Sequence, residues 1–228
     1  MDLQIKYDII YSITAHESVS SLRNLIENIF LHNFNYKVGI ILHLNSFMME
    51  AFDTNIQDVY INNIYYDKYR FNHTILKAHI ENFLFLKNKK IKFLYYIPIS
   101  SNCMFIKQMN IPTNYVFENK KFEEEFSIKD NETGWHWEKI LKNNYIINLL
   151  KDKKIPIRIG FHEGRIIFYD LMEKITNFIC NNKIFENIVQ ECVFEEFLLP
   201  SLEAYFNNSN NCQSILKLFK TLLNKNDI

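Results

Sequence analysis

Glu195 and Glu196 stand side by side in an otherwise apolar run, Cys192-Val193-Phe194-Glu195-Glu196-Phe197-Leu198-Leu199-Pro200-Ser201-Leu202. A charge buried without a partner is strongly disfavoured, so such a pair is kept where a site, a partner or solvent receives it. Apolar walls raise a carboxylate's pKa, which suits a general base that removes a proton from a hydroxyl group at neutral pH. A like charge alongside acts in the same direction, whereas a helix start lowers carboxylate pKa values through its macrodipole. The competing reading leaves Glu195 in solvent and makes Glu196 a helix cap.

Other residues suggest what such a base would act on. Trp135-His136-Trp137 follows Gly134 and holds both tryptophans of the chain. Aromatic faces stack on the apolar faces of sugar rings, and alternation would put Trp135 and Trp137 on one side with His136 on the other. The packing alternative places one Trp in the core and the other over an edge. Ser100-Ser101-Asn102 offers hydroxyls and an amide that can bond a sugar or a phosphate, yet these are poor sole ligands for a hard dication. His16 and His43 lie at or near predicted strand ends within reach of a nucleotide, although a lone histidine is more often structural. Arg70 precedes a predicted helix start, where backbone N–H groups favour anions. The chain contains no Asp-x-Asp, and Asp130-Asn131-Glu132 sits in charged surroundings that suit a solvated loop. The expectation is therefore chemistry without a metal or other cofactor, with Lys or Arg in place of the ion.

The elements that position these groups alternate. Residues 7–13 and 38–44 read as buried strands and 58–62 as a shorter one, with a helix after residue 18 carrying Val19, Leu22, Leu25, Ile26, Ile29 and Phe30 on one face. A second helix over 74–86 leads into a strand over 92–97. The first 100 residues thus read β-α-β-β-α-β, which predicts an α/β fold with a mainly parallel central sheet and helices on both faces. Ligands of such sheets gather at the carboxyl ends of the strands. That rule singles out Thr14-Ala15-His16-Glu17, His43-Leu44-Asn45-Ser46 and Ser100-Ser101-Asn102-Cys103. Further on, 117–132 reads as a charged surface excursion. Helices are expected over 138–150, 169–181, around Glu196 and over 211–223, with a strand over 157–161.

Composition bounds the alternatives. Of 228 residues, 48% are hydrophobic and 15% aromatic, which places the chain among well-packed proteins and far from disorder. Lys+Arg and Asp+Glu balance at 26 each, so no overall charge points to nucleic acid or an anionic membrane. Cys103, Cys180, Cys192 and Cys212 show no metal-site or disulfide pattern and read as thiols in a reducing compartment. With no signal peptide and no apolar run of membrane-spanning length, a soluble cytoplasmic protein of a bacterium or of a virus-infected host is expected.

Five segments, collinear over roughly residues 7–206, resemble the core-2/I-branching glycosyltransferases, family 14-like enzymes with a GT-A fold. Tyr11-Ser12-Ile13-Thr14-Ala15-His16-Glu17 is similar to the family's opening strand and Ala-His turn. Ile41-Leu42-His43-Leu44-Asn45 is similar to its second strand and turn, with Asn45 where the family usually has Asp. Tyr96-Ile97-Pro98-Ile99-Ser100-Ser101-Asn102-Cys103-Met104-Phe105-Ile106-Lys107 resembles its short strand, Ser or Gly turn and Ile-Lys. Glu163-Gly164-Arg165-Ile166-Ile167-Phe168-Tyr169-Asp170-Leu171 resembles its Gly-start strand and helix, and Phe194-Glu195-Glu196-Phe197 its acidic motif.

The resemblance implies a catalytic base at Glu196, with Glu195 and Glu163 in support. Ala15, His16, His43, Asn45, Arg70, Ser100, Ser101 and Asn102 would bind the donor, and Trp135, His136, Trp137 and Gly164 the acceptor. The family's basic segment beyond the acidic motif is longer; here Arg165, Lys217 and Lys220 would meet the diphosphate. One domain over 1–228 is expected, with a nucleotide-sugar half over 1–110 and an acceptor half over 111–228. The implied activity is inverting, metal-independent transfer from a nucleoside diphosphate sugar, with UDP favoured, to a glycan hydroxyl. A non-catalytic relative that binds a nucleotide sugar or glycan within a larger transferase is the alternative. A nucleotide-dependent phosphotransferase or hydrolase is disfavoured, because GxxxxGK[ST], GxGxxG and GxSxG are all absent.

Overall fold

Strand β1 (Ile5–Ala15) is buried almost end to end, as a strand covered on both faces must be. The computed structural model to which it belongs describes residues 4–16, 18–45, 48, 52, 55–62, 74–111, 120–121, 143–160, 162–188 and 194–207. β1 pairs in parallel with β2 (Val38–Leu44) on one side and β4 (Lys92–Ser100) on the other. β3 (Val59–Asn62) continues the sheet in parallel beyond β2, and β7 (Ile167–Phe168) adds an antiparallel edge to β4. The order β3-β2-β1-β4-β7 places the longest strand in the middle.

Alternation along β1 divides the core. Ile9, Tyr11 and Ile13 join Ile40, Leu42, Ile97 and Ile99 on one face, covered by α1 (Val19–His32) through Leu22, Leu25, Ile26 and Ile29. Ser18 caps this helix by accepting the N–H of Ser21 at 3.1 Å. Ile10, Ile41 and Tyr96 face the other layer. That layer comprises α2 (Thr74–Asn88), α3 (Asn144–Asp152), α4 (Tyr169–Asn181) and α6 (Leu198–Asn207), which contribute Phe83, Ile146, Ile175 and Leu202 among others. A fully buried Leu or Ile contributes roughly 1.5–3 kcal/mol, so the two layers hold the sheet from both sides.

The expected α/β architecture with a mainly parallel sheet and helices on both faces is therefore present. The second half differs in detail. The strand expected over 157–161 is present in shortened form as β6 (Arg158–Ile159), which pairs with β5 (Lys120–Lys121) in a separate two-stranded ribbon. It stops there because Gly160 donates its N–H to the carbonyl of Glu196 at 2.9 Å. Of the expected helix over 138–150, residues 138–142 lie outside the described residues, and the rest is α3, capped by Asn143, whose side chain accepts the N–H of Ile146. The expected helix over 211–223 lies outside the described residues. After the short helix α5 (Ile184–Asn187), the carboxylate pair occupies a 3-10 turn, Phe194–Glu196, ahead of α6. Pro200 falls in the first turn of α6, whose N–H groups have no intrahelical partner to lose. No helix among the described residues is long and apolar enough to cross a membrane.

Candidate active site

Because β1, β2 and β4 are parallel, their carboxyl ends lie together, with Thr14 opposite both His43 and Ser100 and Ala15 opposite Leu44. Backbone bonds tie the loops leaving these strands. Asn45 donates its N–H to Ala15 at 3.1 Å, and Ser101 donates to Thr14 at 3.1 Å. The Ser100 hydroxyl donates to Asn102 Oδ1 at 2.7 Å and lies 3.4 Å from Glu163 Oε1. Ala15, His43, Ser100 and Ser101 are buried, His16 and Asn45 half-buried, and Asn102 exposed.

A second segment is fastened to the same end of the sheet. Gly164 donates its N–H to the Pro98 carbonyl of β4 at 2.8 Å, and its φ of 72° is one that glycine adopts without strain. This turn carries His162 and Glu163, whose Nδ1 and Oε2 are 3.4 Å apart. The turn containing Glu196 is held to the strand that precedes it by the Gly160 bond, and Arg158 donates its N–H to Ser201 Oγ at 2.9 Å. His162, Glu163 and Glu196 consequently each bring a ligand-type atom within 4.8 Å of the others.

The neighbouring glutamates differ in access. Glu195 is 1% exposed, and its Oε2 has no hydrogen-bond partner among the described residues, which excludes the solvated reading. Burial, with the charges of Glu196 and Glu163 adding to it, pushes its carboxyl up to about 8. Glu196 is half-buried, and burial followed by the Glu163 charge pushes it up to about 7. Of the opposed influences expected at this position, desolvation is the largest.

Beneath the cluster lies a polar network that the sequence did not mark. His79, on the sheet-facing side of α2, reads from its spacing as a core position. Its Nδ1 is 2.8 Å from Ser12 Oγ, which also accepts Asn82 Nδ2 at 3.0 Å; Asn82 Oδ1 in turn accepts Asn62 Nδ2 at 3.1 Å. The ring centroids of His79 and His162 are 5.7 Å apart. Burial holds His79 well below the usual histidine range, and charge on His162 or His43 would push it lower. The available signal was polar residues within two apolar elements: Ser12 in β1, and His79 and Asn82 in α2.

Arg165, expected at the diphosphate, points inward. It is 1% exposed and forms a buried ion pair with Glu203 of α6, so its charge is directed into the fold and away from any diphosphate at the surface. Arg70, Trp135, His136, Trp137, Lys217 and Lys220 lie outside the described residues. No family model matches the chain, and no curated protein matches it in sequence.

Proposed function

We propose that the chain is an inverting glycosyltransferase of GT-A type, moving a sugar from a nucleoside diphosphate donor to a glycan hydroxyl with Glu196 as general base. The observation that carries this reading is the unequal access of two adjacent carboxylates. Glu195 is closed off, whereas Glu196 is half-buried beside Glu163 and His162 near the carboxyl end of β4. A desolvated carboxylate that retains access is what a base needs to take a hydroxyl proton near neutral pH.

In this reading the acceptor oxygen attacks the anomeric carbon from the face opposite the diphosphate as its proton passes to Glu196. The bond between the anomeric carbon and the diphosphate oxygen breaks, its electron pair leaves with the nucleotide, and configuration inverts. Glu163 accepts a hydrogen bond from the incoming sugar. Ser100, Ser101 and the ends of β1 and β2 hold the donor, where ligands of parallel sheets collect. The reaction requires no cation, and the resemblance assigns the leaving diphosphate to Lys217 and Lys220. Arg165, paired with Glu203, is not among its ligands.

A thermal-shift panel of UDP-, GDP-, dTDP- and CMP-sugars, with EDTA and again with manganese, tests the reading. A ligand at about 100 times its Kd stabilises by ~2.7 kcal/mol, a rise of several degrees for a chain of this size. One nucleotide class should raise Tm equally in both conditions. A shift only with manganese contradicts metal-independent transfer, and no shift with any donor contradicts the donor class.

A further inference from the structure

We propose that His162, Glu163 and Glu196 bind one divalent cation of the Zn2+ or Co2+ type, and that the bound cation withdraws Glu196 from proton transfer. The second clause rests on the function proposed above; the first does not.

Geometry is the first support. The three ligand atoms lie within 4.8 Å of one another and come from two separately anchored turns. One is fixed to Pro98 through Gly164, the other to Gly160 through the Glu196 carbonyl. Ligands set by the backbone in this way need little ordering to close on an ion.

The second support is His162 itself. It is 4% exposed; its Nδ1 lies 3.4 Å from Glu163 Oε2 without hydrogen-bond geometry, and its Nε2 makes no hydrogen bond among the described residues. A buried imidazole without hydrogen-bond partners is disfavoured, and metal-bound histidines are normally oriented through the ring nitrogen that does not bind the metal. A cation at the cluster gives one nitrogen a partner.

The donor set decides the class of ion. Calcium and magnesium take six or more oxygen ligands and are poorly served by an imidazole with two carboxylates. Three protein ligands drawn from His and Glu, with one position left open, are the pattern of accessible zinc sites. An ion held there would coordinate the oxygen of Glu196 that otherwise receives the acceptor's proton.

The test titrates EDTA-treated full-length protein with ZnCl2 by calorimetry and with CoCl2 by visible absorption. Wild type should bind one equivalent of each and give a cobalt spectrum without a thiolate charge-transfer band. His162→Ala, Glu163→Gln and Glu196→Gln should each weaken binding by about tenfold or more. Glu163→Gln and Glu196→Gln preserve shape, so they remain informative if His162→Ala fails to fold. No binding by wild type, unchanged affinity in both glutamine variants, a thiolate band, or equal competition by MgCl2 overturns the site. None of these readouts involves a sugar donor, so they stand or fall separately from the transfer reading. Where turnover is measurable, saturating ZnCl2 should suppress it and EDTA restore it; turnover indifferent to ZnCl2 overturns the second clause.

Discussion

Glu163 and Glu196, carried by turns separated along the chain by α4 and α5, bring carboxylate oxygens within 4.8 Å of each other and of a His162 nitrogen. The first is an irregular turn anchored by the Gly164 N–H to Pro98 of β4, and the second a 3-10 turn whose Glu196 carbonyl accepts from Gly160, next to β6. The account of function depends on those two anchors, because an ångström-scale displacement of the carboxylates would separate the base from its substrate.

Gly164→Ala tests the first anchor. At a φ of 72° a Cβ is strained, so stability should fall by about 1–2 kcal/mol. Urea unfolding measures this loss. Turnover at a temperature where the variant stays folded should fall further than stability implies, because the turn also sets the position of Glu163.

Arg165 is assigned to the interior. Removing one member of a buried ion pair is worth roughly 3–5 kcal/mol, so Glu203→Gln and Arg165→Met should each lower Tm sharply. The double variant Arg165→Met with Glu203→Leu should recover much of the loss. Donor affinity of the folded double variant should match wild type; a selective loss of donor binding would return Arg165 to the diphosphate.

Removing the hydroxyl of Ser12 leaves both His79 and Asn82 short of a buried partner. Ser12→Ala should therefore lower stability by about 1–3 kcal/mol in urea unfolding, more than a surface Ser→Ala change.

His43 gives the fold a pH dependence. Burial lowers its pKa from the usual 6.5 to about 4, so between those values the unfolded chain binds the proton more readily than the folded one. The stability associated with neutral His43 is complete above pH 6.5 and is lost as pH falls towards 4. The loss should be on the order of 2 kcal/mol, measured by urea unfolding across that range. His43→Gln should be flatter there. His79, also held below the usual range by burial, will contribute to the remaining slope.

The parallel half of the fold was legible because its strands are buried on both faces and read as unbroken apolar runs. β2 (Val38–Leu44) and α4 (Tyr169–Asn181) have the bounds their patterns suggest, and α2 runs two residues past the expected end. β7 was not legible as an antiparallel edge, since two residues carry no periodicity. The carboxylate pair drew attention through its apolar setting. Its approach to His162 and Glu163, and the burial of Arg165 against Glu203, are tertiary facts without local signal: in sequence, a charged residue that will be paired inside looks the same as one that will face solvent. The absence of Asp-x-Asp argued against a metal, but the proposed cation site, drawn from two distant turns, would leave no such motif.

The most direct test of the central claim compares wild type and Glu196→Gln in EDTA, following nucleotide-sugar donors by proton NMR with mono- and disaccharide acceptors. The account predicts that wild type consumes one donor and forms a product of inverted anomeric configuration. Glu196→Gln should bind that donor equally well yet turn over about 10²–10⁴-fold more slowly. Turnover by the variant at the wild-type rate, or a product of retained configuration, would contradict it.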